Sequence, residues 1–297
     1  MYSKAKFKEN LWGYLFIMPW LIGFILLWGG PVVSSFIISL YRWSILDPPK
    51  WLGTKNYERL LTDQLFWQSL KVTGIYIIVV VPGLLFLSLF SAMLLNQNLR
   101  GVRLFRTIYY TPVVVSGVVL AVAWLWLLNP NYGFVNYFLR TVFGIEGPRW
   151  LNSSLWALPS VIVVSLWRIG TTMVIFLAGL QEIPSQLYEA ADIDGAKPLA
   201  KFRYITMPML SPVILFNVFM LIIESFQIFT PVYVMTEGGP HYSTLMYVLY
   251  LYNNAFGFLK MGYASALAWV FFMIMLVFSV ILLKSSGRWV FYQGGEK

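Results

Sequence analysis

Six long apolar runs, separated by short charged stretches, set the rhythm of this chain. Leu11 to Tyr41, Val72 to Leu99, Thr107 to Leu139 and Met261 to Leu283 carry no charge; Arg168 alone interrupts Leu151 to Gln181, and Glu224 alone interrupts Tyr204 to Thr236. Each run can hold the roughly 20 residues that a bilayer-crossing helix needs. The expected spans are 11–35, 72–97, 107–129, 153–179, 208–234 and 261–284, in one domain covering 1–297. The fold class that follows is an all-α integral membrane protein with six transmembrane helices. Trp12, Trp28, Trp43, Trp124, Trp126, Trp150 and Trp269 fall mostly near the expected ends, as an aromatic belt requires. Pro82, Pro112 and Pro159 lie in or near spans, where they can kink helices if neighbours re-satisfy the backbone.

Composition agrees with this pattern. Of 297 residues 59% are hydrophobic and 11% are charged, against about a quarter charged in a soluble domain. Cysteine is absent, which excludes disulfides, a thiol nucleophile and a thiolate metal site. The net charge is +9. In a membrane protein that excess belongs at the lipid boundary and gives no reason to expect nucleic acid. The run after Lys4, Lys6 and Lys8 is too long for a cleavable signal core, so it is read as an uncleaved first span.

The cations suggest an orientation. One side collects Lys4, Lys6, Lys8, Arg100, Arg103, Arg106, Lys197, Lys201, Arg203, Lys284, Arg288 and Lys297. The other collects Arg42, Lys50, Lys55, Arg59, Lys71, Arg140, Arg149 and Lys260. The richer side is expected to be cytoplasmic, with both termini.

A polar island, Glu189 to Pro208 (EAADIDGAKPLAKFRYITMP), separates the fourth and fifth runs. It reads as two short helices and a turn on the cytoplasmic side. Pro184 suits a first helical position, and Leu187, Ala190 and Ala191 form a small apolar face. Gly195 is placed as a left-handed stop, and Pro198 opens the second helix. Leu199, Phe202 and Thr206 are expected on one side of that helix, with Pro208 at the start of the fifth span. By spacing alone the island is equally an interfacial hairpin solvated on one face, or a docking knob whose Glu189 carboxylate pairs with a partner's cation.

The island resembles the cytoplasmic loop signature of binding-protein-dependent ABC importer permeases. In that family Glu-Ala-Ala is followed by three residues, Gly, nine residues and Ile-x-Leu-Pro. Here Glu189, Ala190 and Ala191 are followed by Gly195 and by Ile205, Thr206, Met207 and Pro208, with Met207 in the place of the usual leucine. Phe176 to Ala196, Trp51 to Leu70, Leu128 to Asn136 and Thr236 to Pro240 are similar to segments of the sugar-type branch. Without a long inserted extracytoplasmic domain, the chain resembles the shorter first permease of a two-permease pair.

The resemblance implies the type I importer permease fold, with a coupling loop at 181–207 seated in an ATPase cleft. Glu189, Ala190, Ala191, Asp192, Gly195, Ala196 and Pro208 would carry the coupling. The implied partners are a second permease, an ATPase dimer, an extracytoplasmic binding protein and a mono- or oligosaccharide, with a polyol or glycerol phosphate as variants. The implied place is the bacterial inner membrane. The chain has no G-x-x-x-x-G-K-[ST] loop. ATP and Mg are therefore expected on the ATPase, and no cofactor and no catalytic residue on this chain.

Two charges inside runs call for a role. Glu224 is expected to line the path and accept hydrogen bonds from sugar hydroxyls, with Gln227 one turn on and Phe229 and Tyr233 as stacking rings; a structural helix–helix pair is the other reading. Arg168 pairs with Glu224, contacts the partner permease, snorkels, or meets substrate. His241, the only histidine, sits in an expected external loop, and no metal site is expected. The GGP turn beside it is read either as lying near the binding protein's docking surface or as a plain inter-helix turn. An ion-coupled carrier without an ATPase is the alternative function, and the island is what argues against it.

Overall fold

The protein is described by a computed structural model over residues 2–97 and 100–291. Leu99 and Lys297, counted above, lie outside the described residues, as do the side chains of Lys4, Lys6 and Lys8. Four helical segments are long and apolar enough to cross a membrane: Asn10–Ser39, Gln64–Leu95, Pro198–Met235 and Met261–Ser286. Two bent helix pairs, Val102–Val114 with Gly117–Leu127 and Ala157–Leu166 with Gly170–Gln181, raise the number to six if each is one span.

The chain divides into two compact units, Met1–Asp63 with Leu251–Met273, and Gln64–Tyr250 with Ile274–Lys297. In the first unit, α1 (Tyr2–Phe24) passes through a π turn at Ile25–Gly29 into α2 (Gly30–Ser39). A two-stranded antiparallel ribbon follows, β1 (Tyr41–Arg42) on β2 (Lys50–Trp51), and then α3 (Lys55–Thr62). Asn56 pins α3 to the end of α2: its buried amide donates to Ser39 O at 2.7 Å and to Tyr41 O at 2.9 Å. A Cβ on Gly262 would collide with Tyr41 O, so only glycine allows that approach.

The second unit is built on α4 (Gln64–Leu95), which starts eight residues before the expected span because Gln64 to Lys71 is already helical. It packs against α8 (Ala157–Leu166), α9 (Gly170–Gln181) and α12 (Met207–Phe226). One apolar cluster joins Ala92, Leu95, Met173, Phe176, Leu177, Leu180, Ile183 and Leu210. Another joins Ala121, Leu128, Leu151, Val164 and Met235. Close approach of α9 depends on glycine: a Cβ on Gly170 would lie 2.7 Å from Tyr109 O, and one on Gly179 would lie 2.8 Å from Val213 Cγ2.

Three expected spans are not single straight helices. The third bends by 99° between α5 (Val102–Val114) and α6 (Gly117–Leu127), where Val115 and Ser116 are extended. The fourth bends by 42° between α8 and α9, and Arg168 sits in that break. The fifth breaks after α12 and resumes at α13 (Thr230–Met235). The fifth also begins earlier than the expected 208. Pro198 already opens its helix, and a π turn at Phe202–Thr206 carries it into Met207. Pro208 lies within the first turn of α12, behind the π turn.

The loops are held by side-chain staples. After α6, Asn129 Oδ1 accepts from the amides of Asn131 and Tyr132, and α7 (Phe134–Phe143) follows. Buried Asn136 donates to Pro130 O and Pro148 O and accepts from Trp150 Nε1 at 2.7 Å. After α13, Thr244 donates to Gly239 O at 2.8 Å, which closes the Thr236 to Pro240 turn. The exposed His241 follows with φ at 50°. Next to it, in α14 (Tyr247–Tyr252), burial pushes the Tyr247 phenol well above its ordinary range, and neighbouring Tyr250 adds to this.

Gly170→Ala is expected to lower stability by about 1–3 kcal/mol, because its methyl meets a backbone carbonyl that cannot step aside. Thermal unfolding in detergent reads this, with Gly74→Ala, where a Cβ meets nothing within 4 Å, as the reference.

Candidate functional site

Two places in the second unit gather the residues singled out in the sequence. The first is the island. Its first helix, α10, is Ser185–Ile193, and none of its residues is buried. Pro184 is the residue before the helix, not its first member: its ψ of 130° is extended. The helix stops at Gly195, whose φ is 72°. There the Ala196 amide donates to Ala191 O at 2.8 Å and the Gly195 amide to Asp192 O at 3.1 Å, a Schellman closure.

Beyond the turn, α11 (Pro198–Lys201) has Pro198 in its first turn and runs into the π turn. Leu199 is 76% exposed whereas Thr206 is 6% exposed, so the two do not share a side as expected. The extra residue of the π turn rotates everything after it. Two contacts tie α10 to this helix. Tyr188 Oη and Thr206 Oγ1 are 2.8 Å apart, and Lys201 Nζ donates to the Asp192 carboxylate. Asp192 is thus engaged within the chain, while Glu189 is exposed and makes no ion pair among the described residues. Leu187, at 39% exposure, and Ile193, at 89%, leave an apolar surface around Glu189.

The second place is a cavity of about 580 Å³. All three helix breaks reach it. Val113 and Gly117 flank the first break, Ser165 and Arg168 the second, and Gln227, Phe229 and Thr230 the third. The unbroken α4 closes one wall with Tyr76, Val80 and Leu84. Glu224, Gln227, Phe229 and Arg168 therefore meet in one cavity, as a path would require. Tyr233 is not in the lining; it stacks on Phe229 at 5.1 Å between centroids. Among the described residues Arg168 and Glu224 form no ion pair within 4 Å, so the alternative in which they pair with each other is not met, and both line the cavity.

The sequence reading missed several lining groups. Asn217 is 2% exposed and its Nδ2 has no partner. It precedes Glu224 by two helical turns, on the same face, and that spacing was the signal. The buried Nε1 of Trp124 also lacks a partner, and its ring meets Trp167 edge-on at 5.5 Å. Tyr76 donates to Ser165 Oγ at 2.8 Å, across a distance in sequence that no spacing rule covers. The cavity therefore offers two unused N–H donors, a carboxylate, a guanidinium, an amide and aromatic faces. Buried donors of this kind are available to hydrogen-bond whatever fills the cavity, water included.

Residues 73–290 match the family described as the binding-protein-dependent transport system inner membrane component. The chain belongs to that family. Members similar to it over most of their length include the probable ABC transporter permease protein YesP of Bacillus subtilis, 41% identical over 99% of this chain and 96% of that one. The trehalose/maltose permease MalF of Thermococcus litoralis is 35% identical over 95% and 96% of the two chains. The lactose permease LacF of Rhizobium radiobacter is 38% identical over 94% and 95%. Among solved structures, a bacterial ABC transporter involved in import of the acidic polysaccharide alginate has the same fold, with a TM-score of 0.80 at 20% identity, covering 97% and 99% of the chains. As a member of the family the chain is a transport permease of the inner membrane, with the importer permease fold.

Gly195→Ala is expected to destabilise the α10 stop by about 1–2 kcal/mol, since a side chain resists positive φ. Hydrogen–deuterium exchange over 185–206 should quicken several-fold, with protection elsewhere unchanged.

Proposed function

We propose that this chain is the transmembrane permease subunit of an ATP-driven ABC importer and forms half of the translocation path for a carbohydrate. The carrying observation is α10, nine residues with none buried, ended by a Schellman closure and showing apolar and acidic side chains to the outside. So short a helix is marginal in water alone. A seat in a partner is what such a surface serves, and an ion-coupled carrier has no use for one. In this reading Glu189 meets a cation of the ATPase, with Ala190, Ala191 and Ala196 allowing close approach. Asp192 holds the internal link to Lys201, and Pro208 lies where the motion enters the fifth span.

The remaining parts follow. ATP and Mg reside on an ATPase dimer, which does the hydrolysis; this chain does not. A second permease supplies the other half of the cavity, and an extracytoplasmic binding protein delivers the solute beside the Thr236 to Pro240 turn. Both termini lie in the cytoplasm. ATPase closure moves α10, the Tyr188–Thr206 and Asp192–Lys201 contacts pass that motion to the fifth span, and the cavity alternates its exposure. The relatives named for trehalose/maltose, lactose and starch degradation products support a carbohydrate; mono- or oligosaccharides are the proposed class, with a polyol or glycerol phosphate as a variant. A cavity lining that mixes Trp124, Phe216 and Phe229 with Glu224, Gln227, Asn217 and Arg168 suits hydroxyl-rich rings with apolar C–H faces.

Glu189→Ala together with Gly195→Ala is expected to abolish co-purification of the ATPase while the second permease is retained. If no ATPase accompanies the wild-type complex under gentle solubilisation, the importer reading fails and an ion-coupled carrier takes its place. Glu224→Gln and Asn217→Leu are each expected to lower sugar uptake by roughly tenfold, one charge-assisted or buried hydrogen bond being about 1.4 kcal/mol or more. Basal ATP hydrolysis should be retained. Unchanged uptake in both would remove the cavity from the path.

A further inference from the structure

A second cavity, of about 710 Å³, lies within the first unit. Its walls are the β1–β2 ribbon, α3 and the residues before α15 (Met261–Ser286). Five cations line it, Arg42, Lys50, Lys55, Arg59 and Lys260, against one carboxylate, Asp47. These are five of the eight cations that the orientation argument put on the cation-poor side of the membrane. None of the five makes an ion pair within 4 Å among the described residues. Asp47 is engaged in its own turn, accepting from Ser44 Oγ at 2.9 Å.

All five cations are exposed, but two of them are oriented by aromatic rings. Arg59 is held with its guanidinium 4.8 Å from the Tyr263 ring centroid, and the Lys260 ammonium lies 5.2 Å from that of Phe258. The Asn56 staple fixes the helix that carries Lys55 and Arg59. Like charges gathered in one concavity repel unless an anion joins them, and their summed field concentrates anions there. Planar guanidinium groups match oxyanions in forked geometry, and ammonium groups add point charge.

The position narrows the chemistry. The lining begins three residues after the candidate span Asn10–Ser39 and ends inside the first turn of the candidate span Met261–Ser286. Trp43 and Tyr263 stand in the wall, the residue types found at a membrane–water boundary. If those two segments cross a bilayer, the basin lies at their ends, where lipid phosphates are met.

We propose that this basin is a binding site for a phosphate-class oxyanion, independent of the translocation cavity, with Arg42, Arg59 and Lys260 as its main ligands. The phosphate comes either from an anionic phospholipid headgroup or from a free anion. The intact complex in an uncharged maltoside detergent tests this by native mass spectrometry. The probes are dioctanoyl phosphatidylglycerol and uncharged dioctanoylglycerol.

The wild-type complex should retain the phosphatidylglycerol in preference to the diacylglycerol, and added salt should weaken retention. Arg42→Gln with Arg59→Gln and Lys260→Gln should weaken it roughly a hundredfold, at about a factor of five per cation. Lys55→Gln with Lys260→Gln leaves the Arg59–Tyr263 contact intact and should weaken it roughly 25-fold, so loss there is not misfolding. Inorganic phosphate that displaces the lipid identifies a free-anion site, and inorganic phosphate that does not displace it identifies a headgroup site; both uphold the oxyanion site. Equal retention of the two probes, or unchanged retention in the double variant, overturns it.

Discussion

A peptide group left without a partner in hydrocarbon costs several kcal/mol, and that constraint organises the second unit. Three of its helical segments break in mid-course, at Val115–Ser116, at Trp167–Ile169 and after Phe226. Each break exposes amides and carbonyls that lipid cannot satisfy. All three turn toward one polar cavity, where Arg168, Glu224 and Gln227 keep company with them. The breaks and the cavity are therefore one feature.

Packing links that cavity to the surface that meets the proposed engine. Thr172 and Ile175 of α9 line the cavity, while Met173, Phe176 and Leu177 of the same helix belong to the apolar cluster with Leu210 at the start of α12. Tyr188 of α10 packs against that cluster and contacts Thr206. The glycines at 170 and 179 bring α9 close enough to its neighbours to move with them. Close-packed interiors transmit displacement instead of absorbing it. In the proposed mechanism, a push on α10 would be carried by these side-chain contacts and by the Asp192–Lys201 link.

Charge is placed with similar economy. The exposed Asp192–Lys201 pair adds little stability, and its use is geometric, since it orients α10 on the helix that follows. Glu189 is exposed and forms no ion pair among the described residues. In the first unit, five cations line one cavity and none of them forms an ion pair among the described residues.

Periodicity and composition were enough to establish the membrane class, because hydrocarbon admits only long apolar helices or closed barrels. The Glu189 to Pro208 motif carried the resemblance to the family, and its glycine at 195 was readable as a helix stop because glycine is at ease with positive φ. The charges at 168 and 224 pointed to the cavity, because an ionisable group in an apolar run needs a polar surrounding. Hydropathy could not reveal that three spans break, since a single polar residue such as Ser116, Arg168 or Gln227 in a long apolar run leaves its mean hydropathy that of a continuous span. Nor could spacing on one helix bring Tyr76 to Ser165, leave Asn217 and Trp124 with unused donors, or move Tyr233 behind Phe229. Those outcomes depend on which helix faces pack together across distances in sequence of 80 residues or more. The basin in the first unit is of the same kind: its cations come from 42–59 and from 260, and only the fold makes them neighbours.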